Sequence, residues 1–373
     1  MDFVIVGGGV YGAGVAWELA KRGADVLVLE AGEIASGASG GLGKRGVRAN
    51  GRDIRELPLM RAAYELWPDL HEQLGAPTGY ERGGNLHLLE RDRDMPGAAA
   101  QAWAQNQQGI PTTFLNAEAV REMEPALSPR IQGALYCPHD GVADHTATTR
   151  ALAQAAQRHG AVIREHTRVT QLERSGDRIA AVITAQEERI EVGRTVLLLA
   201  NTVVPELLKE QFEITLPVWT VWPQIVLTES IEPVPVHYLI GHASRLLAMK
   251  STPDSRVMIS GGWRGRLNPD TGQGEPQPDQ VQGNVAEAVA VYPSLEGIAV
   301  AEAKTDRRES TTIDGIPIID RVPGLSNAVF ATGWSGHGWA IAPAVNQPLA
   351  AWVYSDSDSS LLYPFRYSRF TDG

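Results

Sequence analysis

The stretch Val4-Ile5-Val6-Gly7-Gly8-Gly9-Val10-Tyr11-Gly12, followed by Asp25-Val26-Leu27-Val28-Leu29-Glu30, decides the fold. An apolar run, a glycine turn, an Ala-rich segment from Ala13 to Arg22 and a second apolar run spell strand, turn, helix and strand. In a dinucleotide-binding βαβ unit each glycine has a separate task. Gly7 permits the tight turn, Gly9 lets the backbone approach a pyrophosphate, and Gly12 lets the helix pack closely on the sheet. Val10 and Tyr11 share that turn, and the positive end of the helix faces the phosphates. Glu30, with Ala31 beside it, ends the second strand where a carboxylate can accept the ribose hydroxyls.

Outward from this unit, residues 35–43 form a second glycine-rich loop one element further on, with Ser36, Gly37, Ala38, Ser39, Gly41 and Gly43 as candidate cofactor contacts. Apolar spacing at Leu59, Ala63, Leu66 and Leu70 predicts a helix over 57–74. Asp144 or a following threonine is a candidate N-cap for a helix reaching about His159. Residues 161–164, 167–173 and 178–184 read as strands, and 195–200 as a buried strand of a parallel sheet. Val169 and Ala200 lie where such strands would reach a bound nucleotide. Residues 211–299 are rich in Pro, Trp and β-formers and read as a mostly antiparallel lobe, with 268–283 as an exposed loop. The tail then returns to a strand, a glycine loop and a helix. The fold class is therefore α/β with an α+β lobe: a Rossmann-like unit completed by the C-terminus, with a second unit inserted.

Composition narrows the function. With 33 basic and 44 acidic residues the net charge is −11, which disfavours nucleic acid and anionic membrane as partners. No apolar run reaches the ~20 residues that span a bilayer. The single cysteine, Cys137, precludes an internal disulfide framework and suits a reducing cytoplasm, the expected location. No signal peptide is expected ahead of a nucleotide fold that starts at residue 2. Nine scattered histidines, His139 and His145 among them, offer no metal-ligand spacing, and no metal is expected.

The C-terminal block chooses among dinucleotides. Thr312-Ile313-Asp314-Gly315-Ile316-Pro317 is followed by Ala331-Thr332-Gly333-Trp334-Ser335-Gly336-His337-Gly338 and a helix opening at Trp339. Together with the opening fingerprint, the 35–43 loop and the central segment 133–200, this block resembles the D-amino-acid oxidase-like flavoprotein family, which includes glycine oxidase, sarcosine oxidase and amino-acid dehydrogenase subunits. The resemblance implies non-covalent FAD. It divides the chain into a cofactor unit (1–84, 141–210 and 300–373) and a substrate unit (85–140 and 211–299). Gly333, Gly336, His337, Gly338 and Trp339 would hold the flavin, with the helix end opposing charge that develops on the ring.

The implied reaction is oxidation of the C–N bond of a primary or secondary amine or amino acid, with hydride passing to flavin N5 and the resulting imine hydrolysing. Oxygen is one electron acceptor; the alternative is a dehydrogenase subunit that passes electrons to a partner or quinone, in an assembly of like or unlike subunits. Arg45 and Arg48 match the two arginines that sarcosine-oxidase-type relatives place beside flavin and substrate. Arginine suits a carboxylate because its planar fork binds both oxygens. The competing reading makes them solvated charges in a loop that also carries Lys44, Arg52 and Arg55. His337 either hydrogen-bonds ring or substrate or holds its own loop. Trp334 and Trp339 either wall the flavin or fill the core, and Trp263 with Arg264 is a candidate substrate-facing pair. Arg307 and Arg308 read better as salt-bridging to Glu309 than as a carboxylate clamp. Three departures stand out. Ala340 replaces a carboxylate-binding lysine, Asp306 falls at the covalent-flavin cysteine, and Met258 falls near the oxygen-activating lysine, with Lys250 close by.

Overall fold

The computed structural model describes residues 1–40 and 43–371. Its first layer is a six-stranded sheet in the order Ile318–Arg321, Ala328–Thr332, Thr195–Leu198, Phe3–Val6, Val26–Leu29, Val162–Arg164. Neighbours run parallel except at the edge pair Ile318–Arg321 and Ala328–Thr332. Side-chain alternation sorts each strand between two cores. Phe3, Ile5, Val26, Val28, Leu197, Val329 and Ala331 pack on the face covered by the helices Val10–Ala20, His145–Arg158 and Gly338–Ser355. Val4, Val6, Leu27, Leu29, Val196, Leu198 and Phe330 pack on the opposite face, under the helix Val203–Phe212 and a three-stranded antiparallel sheet of residues 169–191. Because both faces are covered, the inner strands Phe3–Val6 and Val26–Leu29 are continuous apolar runs with no polar alternation.

The second layer is an eight-stranded sheet in the order Val300–Lys304, Ile225–Thr228, Val257–Ser260, Ala248–Ser251, Leu239–His242, Asn85–Leu89, Gly133–Cys137, Thr113–Asn116. Its pairings are antiparallel save one. Leu239–His242 lies parallel to Asn85–Leu89, which joins the two stretches of chain that leave the first layer. A ribbon of Lys44–Val47 against Gly141–Asp144 bridges the layers and carries Arg45. The N-cap at Asp144 forms: its carboxylate accepts from the Ala147 N–H at 2.8 Å.

Three expectations change. The helix over 57–74 is two helices, Leu57–Leu66 and Leu70–Leu74, because Pro68 has no N–H to continue the ladder. The loop expected at 268–283 ends early: Pro278 takes the first turn of a helix, Pro278–Val291, which buries Ala288 and Val291 against the large sheet. Val300–Lys304, placed with the cofactor unit on sequence, is the edge strand of the eight-stranded sheet, paired with Ile225–Thr228.

Candidate active site

A cavity of about 990 Å³ lies between the two layers. Its cofactor-facing wall starts at the opening glycine turn. Gly7 has φ +109°, and a Cβ there would lie 2.9 Å from the backbone of Leu199 and Ala200. The helix Val10–Ala20 has Gly9 as its N-cap and no side-chain cap, so its positive end is left for a ligand. Glu30 reaches back over this turn, accepting from Gly8 N at 2.6 Å and Gly32 N at 2.8 Å. The C-terminal helix, Gly338–Ser355, starts at His337, again without a side-chain cap. Gly336, His337, Gly338 and Trp339 stand on the same cavity wall as Gly7, Gly9, Val10 and Tyr11.

Tyr11 joins the two ends. Its ring stacks on Trp334 at 3.7 Å between centroids and 7° between planes, and its hydroxyl donates to the Gly338 carbonyl at 2.5 Å. Trp334 thus serves both earlier readings, being 5% exposed in the core and also on the cavity wall. Glu30, Ala31, Ser36, Gly37, Ala38, Ser39, Val169 and Ala200 also line the cavity. Gly12, Gly43 and Gly333 do not. Gly12 packs instead: a Cβ there would lie 1.8 Å from the Gly7 carbonyl oxygen. Gly43 accepts from His145 N at 3.1 Å through its carbonyl, and Gly333 abuts Thr312. Gly41 lies outside the described residues.

Arg45 and Arg48 both line the cavity and are not surface charges. Arg45 Nη1 lies 3.5 Å from Met258 Sδ. Arg48 Nη1 donates to the Asn50 carbonyl, and Nη2 lies 3.2 Å from His337 Nε2. Burial and the neighbouring Arg52 bring the Arg48 guanidinium down to about 10, which leaves it charged at neutral pH. The backbone beyond Arg48 is held by Asp140, whose carboxylate accepts from Ala49 N at 2.6 Å and Asn50 N at 3.3 Å and takes the Tyr64 hydroxyl.

Sequence reasoning missed several residues here. Arg52 was grouped with the solvated charges. It is in fact buried, pairs with Glu56 at 3.2 Å, and donates to the carbonyls of Arg48 (2.6 Å) and His337 (2.7 Å). Its i,i+4 spacing to Glu56 was the available signal. Glu309 does not bridge Arg307 or Arg308, which pair with Asp306 and Glu206. It is buried, accepts from Ser39 Oγ at 2.6 Å and Asn201 Nδ2 at 2.9 Å, and so ties three loops under the cavity; burial pushes its carboxyl up.

The opposite wall comes from the eight-stranded sheet and includes His87, Lys250, Met258, Trp263 and Arg264. Burial, with Arg48 and His242 nearby, pushes His87 down to about 4. Lys250 stands directly opposite Met258 across a strand pair and donates to the Lys44 carbonyl. Burial, Arg45 and Lys44 bring its ammonium down to about 7.

Two uncapped helix ends and an acid-tipped second strand facing one cavity define a dinucleotide-cofactor protein. The chain belongs to the DAO family of FAD-dependent oxidoreductases, whose model matches residues 2–352, and its cofactor is FAD. It is 26% identical over 381 residues to the sarcosine oxidase subunit beta of an Arthrobacter species, covering all of this chain and 91% of that protein. It is 25% identical to the glycine oxidase of Bacillus licheniformis, covering 94% and 92% of the two chains. The structure of L-proline dehydrogenase from P. horikoshii superposes with a TM-score of 0.89 at 26% identity, covering 100% and 98%. The cavity fits the cofactor. The glycine turns leave room where side chains would intrude, the uncapped helix ends would favour a pyrophosphate and a reduced ring, and Glu30 on the cavity wall would be the residue to meet a ribose. Among the described residues no helix is long and apolar enough to cross a membrane.

Proposed function

We propose that this chain oxidises the C–N bond of an amino acid or N-alkyl amino acid. In this reading the six-stranded layer holds the cofactor and the eight-stranded layer the substrate. The observation that carries it is the position of Arg48, a half-buried charged fork on the cavity wall beside the loop at 336–339. FAD, when bound, supplies the two-electron acceptor. The chain's own residues do the rest. Arg48 binds the carboxylate through both oxygens and so sets which carbon faces the ring. The uncapped end of the C-terminal helix opposes negative charge developing at that end of the cavity. Lys250, titrating near neutrality, is a group on the substrate wall able to take up the amine's proton, whereas His87 stays neutral there. Relatives named as oxidases of sarcosine and glycine support the substrate class.

The test is anaerobic spectroscopy of the purified flavoprotein against D-, L- and N-methyl amino acids and plain amines. Bleaching by one carboxylated amine class supports the reading. Bleaching by plain amines alone, or by none, overturns it.

A second reading concerns the acceptor. Met258 occupies the position near which the oxygen-activating lysine of sarcosine-oxidase-type relatives falls, and Lys250 comes from the neighbouring strand. This favours transfer to a partner subunit or quinone over transfer to oxygen, and one similar structure is that of a protein named a dehydrogenase. Turnover with a dye acceptor but no hydrogen peroxide supports it; stoichiometric peroxide rules it out.

A further inference from the structure

A guanidinium has five N–H donors and no acceptor. His337 Nε2, 3.2 Å from Arg48 Nη2, must therefore accept, and the imidazole proton must sit on Nδ1. Nδ1 points to Glu56 Oε2 at 3.8 Å, an electrostatic contact longer than a hydrogen bond. That oxygen is buried and has no hydrogen-bond partner, while the other carboxylate oxygen takes Arg52 at 3.2 Å. Arg52 in turn clasps the carbonyls of Arg48 and His337. Burial raises Glu56, but Arg52 and His337 outweigh it and hold the carboxyl below its ordinary value. Burial lowers His337 against the pull of Glu56, and Arg48 and Arg52 lower it further, so the ring is neutral. Within the protein Arg48 spends one donor of Nη1 on Asn50 and one of Nη2 on His337. Among the described residues this leaves three N–H donors, one on each terminal nitrogen and the Nε–H, and a bidentate carboxylate needs two.

We propose that His337 is a positioning residue: with its proton on Nδ1, directed at Glu56, it accepts from Arg48 and fixes the guanidinium in the orientation that receives the substrate carboxylate. This rests on the carboxylate-anchor reading of Arg48 given above. Arg52 is the clasp that keeps the Arg48 segment and the flavin loop in register, so that the acceptor stays in reach.

The experiment titrates the flavin-loaded protein with propionate and, as neutral control, propionamide, reading the flavin absorbance change. H337Q keeps an acceptor on a side chain of similar reach and H337L removes it. Propionate binding is expected to weaken about tenfold in H337L, the scale of one charged hydrogen bond, and to stay within about threefold in H337Q. Propionamide binding stays unchanged in both. R48A weakens propionate at least as much as H337L, and R48A/H337L no further than R48A alone, because the histidine acts only through the arginine. Separately, nitrogen-15 spectra of the histidine-labelled apoprotein are expected to show His337 in the Nδ1–H form, with the preference lost in E56Q. If wild type shows no response to propionate, or R48A binds it as wild type does, the anchor fails and the positioning role with it. If R48A weakens binding but H337L does not, if H337Q is as weak as H337L, or if the double variant is additive, only the positioning role falls. An Nε2–H tautomer overturns it directly, and that reading decides alone should H337L fail to fold.

Discussion

Glu30 and Arg48 mark the two ends of the cavity, and each can be removed alone. Glu30→Ala deletes the carboxylate at the tip of the second strand and frees the amides of Gly8 and Gly32. Reduced FAD content after purification is expected, with affinity lower by roughly tenfold to a hundredfold for the loss of charged hydrogen bonds. Unchanged flavin stoichiometry in the variant would remove the ribose role. Arg48→Ala should raise KM for a carboxylated substrate by roughly tenfold to somewhat above a hundredfold, as a lost contact of ~1.5–3 kcal/mol implies, and leave a plain amine unaffected. Equal kinetics in variant and wild type would take Arg48 out of the site. Lys250 gives a pH signature. Its folded value of about 7 lies below the ~10.4 of an unfolded lysine, so between these limits the unfolded chain binds more protons. The group therefore costs stability at pH 7, and that cost fades as pH rises toward 10. Melting temperatures of wild type minus Lys250→Met should climb across that window, and a flat difference would show that the ammonium is not desolvated.

At the scale of elements, what was legible follows from how local each signal is. The opening fingerprint and the runs at 26–29 and 195–198 could be read because a strand covered on both faces must be continuously apolar. The Asp144 cap was equally legible, since a cap is a bond between near neighbours. Asp144→Ala is expected to destabilise the protein by about 1 kcal/mol in denaturant titrations through loss of the bond to Ala147; a change indistinguishable from zero would mean the helix end is held by its tertiary contacts alone. Composition misled at 268–283, where glutamines and prolines look like a loop but Pro278 preorganises a first turn and Ala288 and Val291 supply a buried face. It misled again at Arg52 and Glu309. A charge reads as solvated unless its partners are known, and the partners of Glu309, Ser39 and Asn201, stand 270 and 108 residues away. The glycines divide on the same principle. Gly7 and Gly336 could be placed on the wall because a ligand turn needs them there, and Gly12 by the close packing its place in the fingerprint demands, whereas Gly333 is required by packing against Thr312 that only the folded chain shows.

At the scale of the whole molecule the proposed cofactor site is a seam between the chain's two ends, and the seam has its own contacts. Tyr11 stacks on Trp334 and bonds to Gly338, Asn346 Nδ2 donates to the Val10 carbonyl at 3.2 Å, and Trp67 Nε1 donates to the Ala340 carbonyl at 2.8 Å. A ligand lying along that seam touches residues from both ends at once and binds only when they are docked. Ligand binding to the folded state alone adds RT ln(1 + [L]/Kd), about 2.7 kcal/mol at a hundredfold excess over Kd. The flavin-free protein should therefore melt several degrees lower than the loaded one, with the midpoint rising with the logarithm of added FAD. Glu30→Ala should shift that titration to higher FAD while lowering the flavin-free midpoint by only a few degrees, since the carboxylate is partly exposed and its protein contacts are the amides of Gly8 and Gly32. A melting midpoint that ignores FAD concentration would mean that the two glycine segments dock without reference to the cofactor, and that the cavity between them is not where it binds.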